Sequence, residues 1–217
     1  MRNEDSAAGI GTYDRDEDLL AGTRSDGRAR VRVAPSADTV VVLGRGSRLE
    51  VECHAAACRD DGVPILRRRG GGCAVVLDPG NVVVSAVVTA PGLGNVRRLF
   101  DGFSRWVLDG LARAGVPGAS RRDVCDLCLG DRKIGGAALY RAKDLVYYST
   151  TLLVAPDVGL MQRYLPHPPR EPAYRAGRAH AAFVTTLAAR VGDCPAAFAA
   201  RLGDVLGPPE SGARRGE

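Results

Sequence analysis

The chain has 217 residues, 45% of them hydrophobic and 25% charged, an ordinary soluble balance long enough to bury one sizeable core. No apolar run is long enough to span a bilayer, and Met1-Arg2-Asn3-Glu4-Asp5 lacks the apolar stretch of a secretory signal, so the expectation is a cytoplasmic protein with no membrane partner. The net charge of +5 comes from arginine, with only 5% aromatics, none interleaved with the basic clusters; a stacking platform for nucleic acid is not expected.

Taken in chain order, residues 1–12 are polar and glycine-containing and read as a flexible N-terminus. Asp16–Leu20 begins a short helix with acidic residues in its first turn. Arg28–Ala34 alternates like a strand, Thr39–Leu43 follows as a more buried one, and Leu49–Arg59 reads as a short helix. Ile65-Leu66 and Cys73–Leu77 are strands on either side of Arg67–Gly72. Asp78-Pro79-Gly80-Asn81 is a turn by composition, and Val82–Thr89 is a continuous apolar strand. Val96, Leu99, Phe100, Phe103, Val107, Leu111 and Ala114 share one helical face, closed by Gly115-Val116-Pro117-Gly118. Strands flank Gly130–Arg132 and cover Leu145–Val154. Short helices follow near Gly159–Tyr164, His180–Arg190 and Ala196–Leu206, and residues 207–217 read as a disordered tail. Mixed strands with peripheral helices give one α+β domain over 13–206.

Two segments carry candidate chemistry. In Arg67-Arg68-Arg69-Gly70-Gly71-Gly72, three glycines interrupt what would be one buried strand, which makes sense where backbone must approach an anionic ligand. The arginines supply matching charge, and a local anion accounts for them as well as duplex phosphates would. The second segment is Gly130-Asp131-Arg132-Lys133-Ile134-Gly135-Gly136. The chain has 28 arginines against two lysines, so a lysine kept between glycine-flanked turns suggests a compact cation aimed at a phosphate or carboxylate. Of the six cysteines, Cys125 and Cys128 have CxxC spacing and Cys53, His54 and Cys58 lie close in sequence. The second ligand pair is poor for zinc, so no metal site is expected and the cysteines read as buried small hydrophobes. No catalytic triad or zinc-protease motif assembles from His54, His167 and His180.

Together the motifs resemble those of lipoate–protein ligases, within the biotin/lipoate ligase and octanoyltransferase superfamily. Arg67–Gly72 with Ala74-Val75, then Asp78-Pro79-Gly80-Asn81 and Ser85, is similar to the family's RRxSGGGAV…D.GN…S pattern. Gly130–Ala138 resembles its lysine motif, Leu43-Gly44-Arg45 the close of an early strand, Asp16–Leu20 the DExLL helix, and Tyr174–Arg178 with His180 a downstream segment. The pattern departs at Gly70 (usually Ser or Thr), at Cys73 (a glycine), and at Tyr148-Ser149-Thr150-Thr151, where the family often has His-His-Gly-Thr.

The resemblance implies the catalytic-domain fold of that superfamily, related to class II synthetases, with a mixed, largely antiparallel central sheet flanked by helices. It implies that ATP with Mg2+ activates lipoate or octanoate to an acyl-adenylate. The acyl group then goes to a lysine of a lipoyl domain of a 2-oxoacid dehydrogenase complex or of the glycine cleavage H protein. A separate accessory subunit is a possible further partner, since the larger ligases carry an accessory domain. By analogy Lys133 would be catalytic, at the junction of carboxylate and α-phosphate. Arg68, Gly70, Gly71, Gly72, Cys73 and Ala74 would form the phosphate and adenylate side. Asp78, Asn81, Ser85, Gly136, Ala137 and Thr151 would complete the pocket, and Val82–Val88 would wall the acyl chain. Two alternatives stay open: an octanoyltransferase working through a cysteine thioester at Cys73 or Cys125, or a non-catalytic relative that binds a lipoyl domain or an adenylate.

Overall fold

The computed structural model describes residues 3–90, 95–192 and 194–209. In chain order its first elements are α1 (Asn3–Ala7), β1 (Gly11–Thr12), α2 (Glu17–Asp26), β2 (Arg30–Pro35), β3 (Val40–Leu43), α3 (Leu49–Glu52), α4 (Ala55–Asp60), β4 (Ile65–Arg67), β5 (Val75–Leu77) and β6 (Asn81–Thr89). They continue with α5 (Val96–Arg113), β7 (Ala119–Arg122), β8 (Asp126–Leu129), β9 (Arg132–Ala142), β10 (Leu145–Leu153), α6 (Val158–Tyr164), α7 (His180–Phe183), α8 (Ala188–Val191) and α9 (Pro195–Val205). A single 3₁₀ turn covers Ala173–Arg175.

Two sheets form the body. An antiparallel six-stranded sheet runs β2-β6-β10-β9-β8-β7, and a smaller mixed sheet runs β1-β4-β3-β5, with β4 parallel to both its neighbours. The alternation of the large sheet sorts its two faces. Val82, Val84, Ala86 and Val88 of β6 pack with Tyr148 and Leu152 of β10 against α5 and α9. The intervening residues turn the other way: Val83 meets Val42 and Leu77 of the small sheet, and Val87 meets Leu19 and Leu20 of α2. Burial on both faces is why β6 reads as an unbroken apolar run. Helix α5 starts where the Asn95 side chain accepts a hydrogen bond from the Arg97 amide at 2.8 Å, satisfying an amide that the helix leaves open. Among the described residues no helix is long and apolar enough to cross a membrane.

Several expectations change for local reasons. Residues 3–12, expected to be flexible, form α1 and β1: Asp5 accepts two hydrogen bonds from Arg67, and Ile10 is buried in the core. The expected helix Leu49–Arg59 breaks at Cys53, which is extended, and the His54 amide is captured by the Tyr164 carbonyl at 2.8 Å. The expected helix His180–Arg190 splits because the Thr185 amide donates to the Lys133 carbonyl at 2.9 Å, and Leu187 to Leu153 at 2.8 Å. β7, which packs along the edge of β8, went unread in the sequence. Of the expected tail, residues from 210 onward lie outside those described, as do Met1 and Arg2.

Candidate active site

A bulge places Lys133. In the β8–β9 pairing Leu127 is opposite Gly135, yet Cys128 is opposite Lys133, so Ile134 is an extra residue in β9. Strict alternation would put Lys133 and Gly136 on opposite faces; one inserted residue puts them on the same face. Ile134 turns into the core, fully buried, while Lys133 lies over Gly136. A Cβ on Gly136 would stand 2.9 Å from Lys133 Nζ, so the ammonium occupies space that only glycine leaves open. Asp126, opposite Gly136, accepts from Lys133 Nζ at 2.6 Å, and its other oxygen accepts from the Tyr174 hydroxyl at 2.7 Å. The Cys128 sulfur is 3.4 Å from the same hydroxyl. Burial, with Cys128 and Asp126 behind it, pushes the Tyr174 phenol far above its ordinary range, so it stays a donor.

The arginine-glycine loop is built differently. Arg67 forks onto Asp5 at 2.8 Å and also donates to the carbonyls of Gly44 and Ser47. Arg68 donates to the carbonyls of Val42, Gly71 and Cys73, at 3.0, 2.7 and 2.8 Å. Arg69 pairs with Glu17 at 2.6 Å and stands over the Tyr140 ring. All three therefore tie the loop to its own chain, and Arg68, expected on the phosphate and adenylate side, lines the cavity with several of its donors committed to backbone carbonyls. A carboxylate that sequence reading passed over, the buried Glu52, accepts from the Ala74 amide and the Ser47 hydroxyl, both at 2.8 Å. With the Ala74 amide committed there and the Cys73 carbonyl to Arg68, the strand expected from Cys73 begins at Val75. Gly70 packs so closely on β9 that a Cβ would come 2.9 Å from that of Ala138, a tight fit at the position where the family pattern has Ser or Thr.

Loop and lysine face each other across a cavity of about 1080 Å³, at the upper end for small-molecule sites. Of the expected residues, Lys133, Arg68, Gly70–Gly72, Cys73, Ala74, Gly136, Ala137 and Thr151 all line it. Asp78, Asn81 and Ser85 do not. Asn81 accepts from the Asp78 amide at 2.8 Å, and Asp78 accepts from the amides of Gly80 and Asp157, so this pair closes a turn. Ser85 is fully buried, donating to Asp16 at 2.6 Å; Asp16 also accepts from Tyr147 and Arg32, and it lines the cavity itself. The apolar wall comes not from Val82–Val88, whose two faces are already packed, but from Val42, Val75 and Leu77. Cys53, Cys58 and Cys128 are buried, as expected of small hydrophobes, and burial pushes the Cys53 thiol up to about 12. Cys73 and Cys125 line the cavity; burial and Asp126 raise the Cys125 thiol, with Lys133 opposing.

The model of the lipoyl protein ligase A/B catalytic domain matches residues 13–199. The chain belongs to this family. Its fold is that of solved lipoate ligases. The bi-partite lipoate protein ligase of Thermoplasma acidophilum, studied with its E2 lipoyl domain, superposes with a TM-score of 0.73 at 20% identity, covering 91% of this chain and 80% of that one. Plasmodium falciparum LipL1 in complex with lipoate gives 0.70 at 18% identity, over 90% of this chain and 58% of that one. A lipoate-protein ligase A bound with ATP gives 0.68 at 22%, over 87% and 74%. At these identities the likeness is one of fold.

Proposed function

We propose that the protein activates lipoate or octanoate with ATP and transfers the acyl group to a lysine of a lipoyl carrier domain. The observation that carries this is the Lys133 ammonium, brought by the β9 bulge to a cavity that has both a glycine loop and an apolar wall. A carboxylate oxygen attacks the α-phosphorus and pyrophosphate leaves; the acceptor amine then attacks the acyl carbon and AMP leaves. Negative charge develops first at phosphorus and then on a tetrahedral carbon, and a fixed cation beside both serves both steps. Asp126 and Tyr174 position that cation. The family membership supports the substrate class, as do the relatives solved with lipoate and with ATP. The E2 lipoyl domain studied with the T. acidophilum ligase supports the acceptor class. Magnesium enters here as part of the ATP substrate.

The cysteine-thioester route, through Cys73 or Cys125, needs a thiol of lowered pKa; burial raises the Cys125 thiol, so the Cys73 arm of the experiment below carries that alternative. The deciding experiment is lipoate-dependent ATP–pyrophosphate exchange on purified protein. Exchange is expected to vanish in Lys133→Ala and to persist in Cys73→Ser. Octanoyl transfer from an acyl carrier that needs a cysteine, with no exchange, would overturn the ligase reading.

A further inference from the structure

Several arginines line the cavity besides those of the loop, and one of them, Arg175, stands beside the lysine with no task in the reaction above. Arg175, at the end of the 3₁₀ turn, is 4% exposed and lines the cavity. Its Nε donates to the Arg178 carbonyl at 2.9 Å and lies 3.5 Å from Glu171 Oε2. Its guanidinium stacks 4.7 Å from the centre of the Phe183 ring. Nη2, however, has no partner, although it is buried. A buried charged donor left without an acceptor is rare and unfavourable, and it calls for an explanation. Glu171 is only a partial counter-charge. The Oε2 nearest Arg175 is shared with His167 at 2.9 Å, and Oε1 accepts from the Gly177 amide at 3.0 Å. Loss of water is the largest influence on the guanidinium and lowers its pKa.

The surroundings locate this group. Tyr174, the preceding residue, donates to Asp126, which holds Lys133. Arg175 follows Tyr174 in the same turn, and both Arg175 and Lys133 line the cavity. The arginine is braced on several sides. Arg178 is held by the Asp131 carboxylate at 3.0 Å and by the Tyr174 carbonyl at 2.9 Å, and its own guanidinium also lies over Phe183. The turn is thus fixed, the guanidinium is oriented, and one nitrogen is left for an acceptor the described chain does not supply.

We propose that Arg175 is a substrate-binding residue whose Nη2 donates to a non-bridging phosphate oxygen of the nucleotide, beside Lys133. A guanidinium suits that role because it keeps its charge when buried and its planar fork matches phosphate oxygens. Lys133 takes the acyl–phosphate junction, so the orphaned donor falls to the phosphate side. This rests on the ATP-dependent reading of the cavity. A purely structural Arg175, closing the turn through Nε and packing on Phe183, would leave ligand affinities alone.

The test is calorimetric titration of the full chain with ATP, with inorganic pyrophosphate as a phosphate-only probe, and with lipoate. Arg175→Met keeps the apolar stem and removes the donors. It is expected to weaken ATP and pyrophosphate binding about tenfold or more, as the loss of a charged hydrogen bond does, and to leave lipoate binding within about twofold. Arg175→Lys, the variant to use should the methionine protein fail to fold, is expected to weaken ATP binding at least about threefold, because Lys has no planar fork. Unchanged ATP and pyrophosphate affinity in a folded variant overturns the proposal. Arg175-dependent ATP binding without lipoate-dependent exchange overturns the ligase reading and leaves the phosphate contact standing. A wild-type protein that binds neither ATP nor pyrophosphate overturns both.

Discussion

The arginine-glycine loop and the lysine corner both present cations to one cavity, yet they hold them in opposite ways. In the loop, Arg67 and Arg68 are satisfied by Asp5 and by carbonyls of Val42, Gly44, Ser47, Gly71 and Cys73. They shape the backbone that lines the cavity. In the corner, Lys133 has a single carboxylate behind it, and Arg175 has a nitrogen with no partner. A cluster of basic residues therefore does not by itself say which charges are available. Accounting for every donor does, because a buried donor must find an acceptor in the chain or in the ligand.

The largest effect separates these two uses of charge. Arg67→Met leaves Asp5 buried without its fork, and breaking such a pair costs about 3–5 kcal/mol. Chemical denaturation is expected to show that loss. Lys133→Met also leaves a buried carboxylate, Asp126, without its cation, but the Tyr174 hydroxyl still donates to it and Lys133 is the more exposed partner. It should therefore lose less stability than Arg67→Met, while its exchange rate falls about 100- to 1000-fold, the loss typical when one transition-state donor is removed. If instead Arg67→Met is stable but inactive, or Lys133→Met is the less stable of the two, the division of labour between loop and corner is wrong.

How far the sequence reveals this depends on the range of the interaction. The helical face from Val96 to Ala114 and the apolar run of β6 were legible because their patterns are local. Lys133 was legible from composition and motif, and it does line the cavity. Asp126 was not: its pairing with Lys133 runs across the Gly130 hairpin and depends on the extra residue Ile134, which no periodicity announces. The chain partners of Arg67 and Arg68 were not legible either, because Asp5 and the Val42 carbonyl lie far away in sequence. Asn81 and Ser85 belong to a motif that mixes turn-forming and network-forming residues with cavity residues, and the pattern alone does not separate them.

A smaller effect probes the corner without removing its charge. Gly136→Ala would set a methyl group where the Lys133 ammonium lies, and the lysine is flexible enough to move aside. The fold should survive, with melting nearly unchanged, while exchange falls about tenfold, equivalent to a little over 1 kcal/mol of transition-state stabilisation. An alanine variant with full activity would mean that the ammonium works from another position. The comparison would then rest on Arg175 alone.

The smallest effect supplies a baseline for an arginine that pairs at the surface. Arg163 forks onto Asp61, which also accepts from the Tyr164 hydroxyl at 2.7 Å, and this ties α6 to the end of α4. The Arg163 side-chain hydrogen bond, followed by that of Tyr164, lowers the Asp61 carboxyl to about 2. A carboxyl depressed on folding adds stability above its unfolded pKa, and that stability is lost as pH falls through the folded one. Asp61→Asn should therefore melt slightly below the wild type at neutral pH, by less than Arg67→Met does, because exposed pairs are screened by water. The gap should hold down to about pH 4 and close towards about pH 2, near the unfolded and folded values. A gap that persists unchanged at the acid end would show that Asp61 acts through its shape and not its charge. In that case the contrast between buried and exposed arginine pairs would lose its reference point.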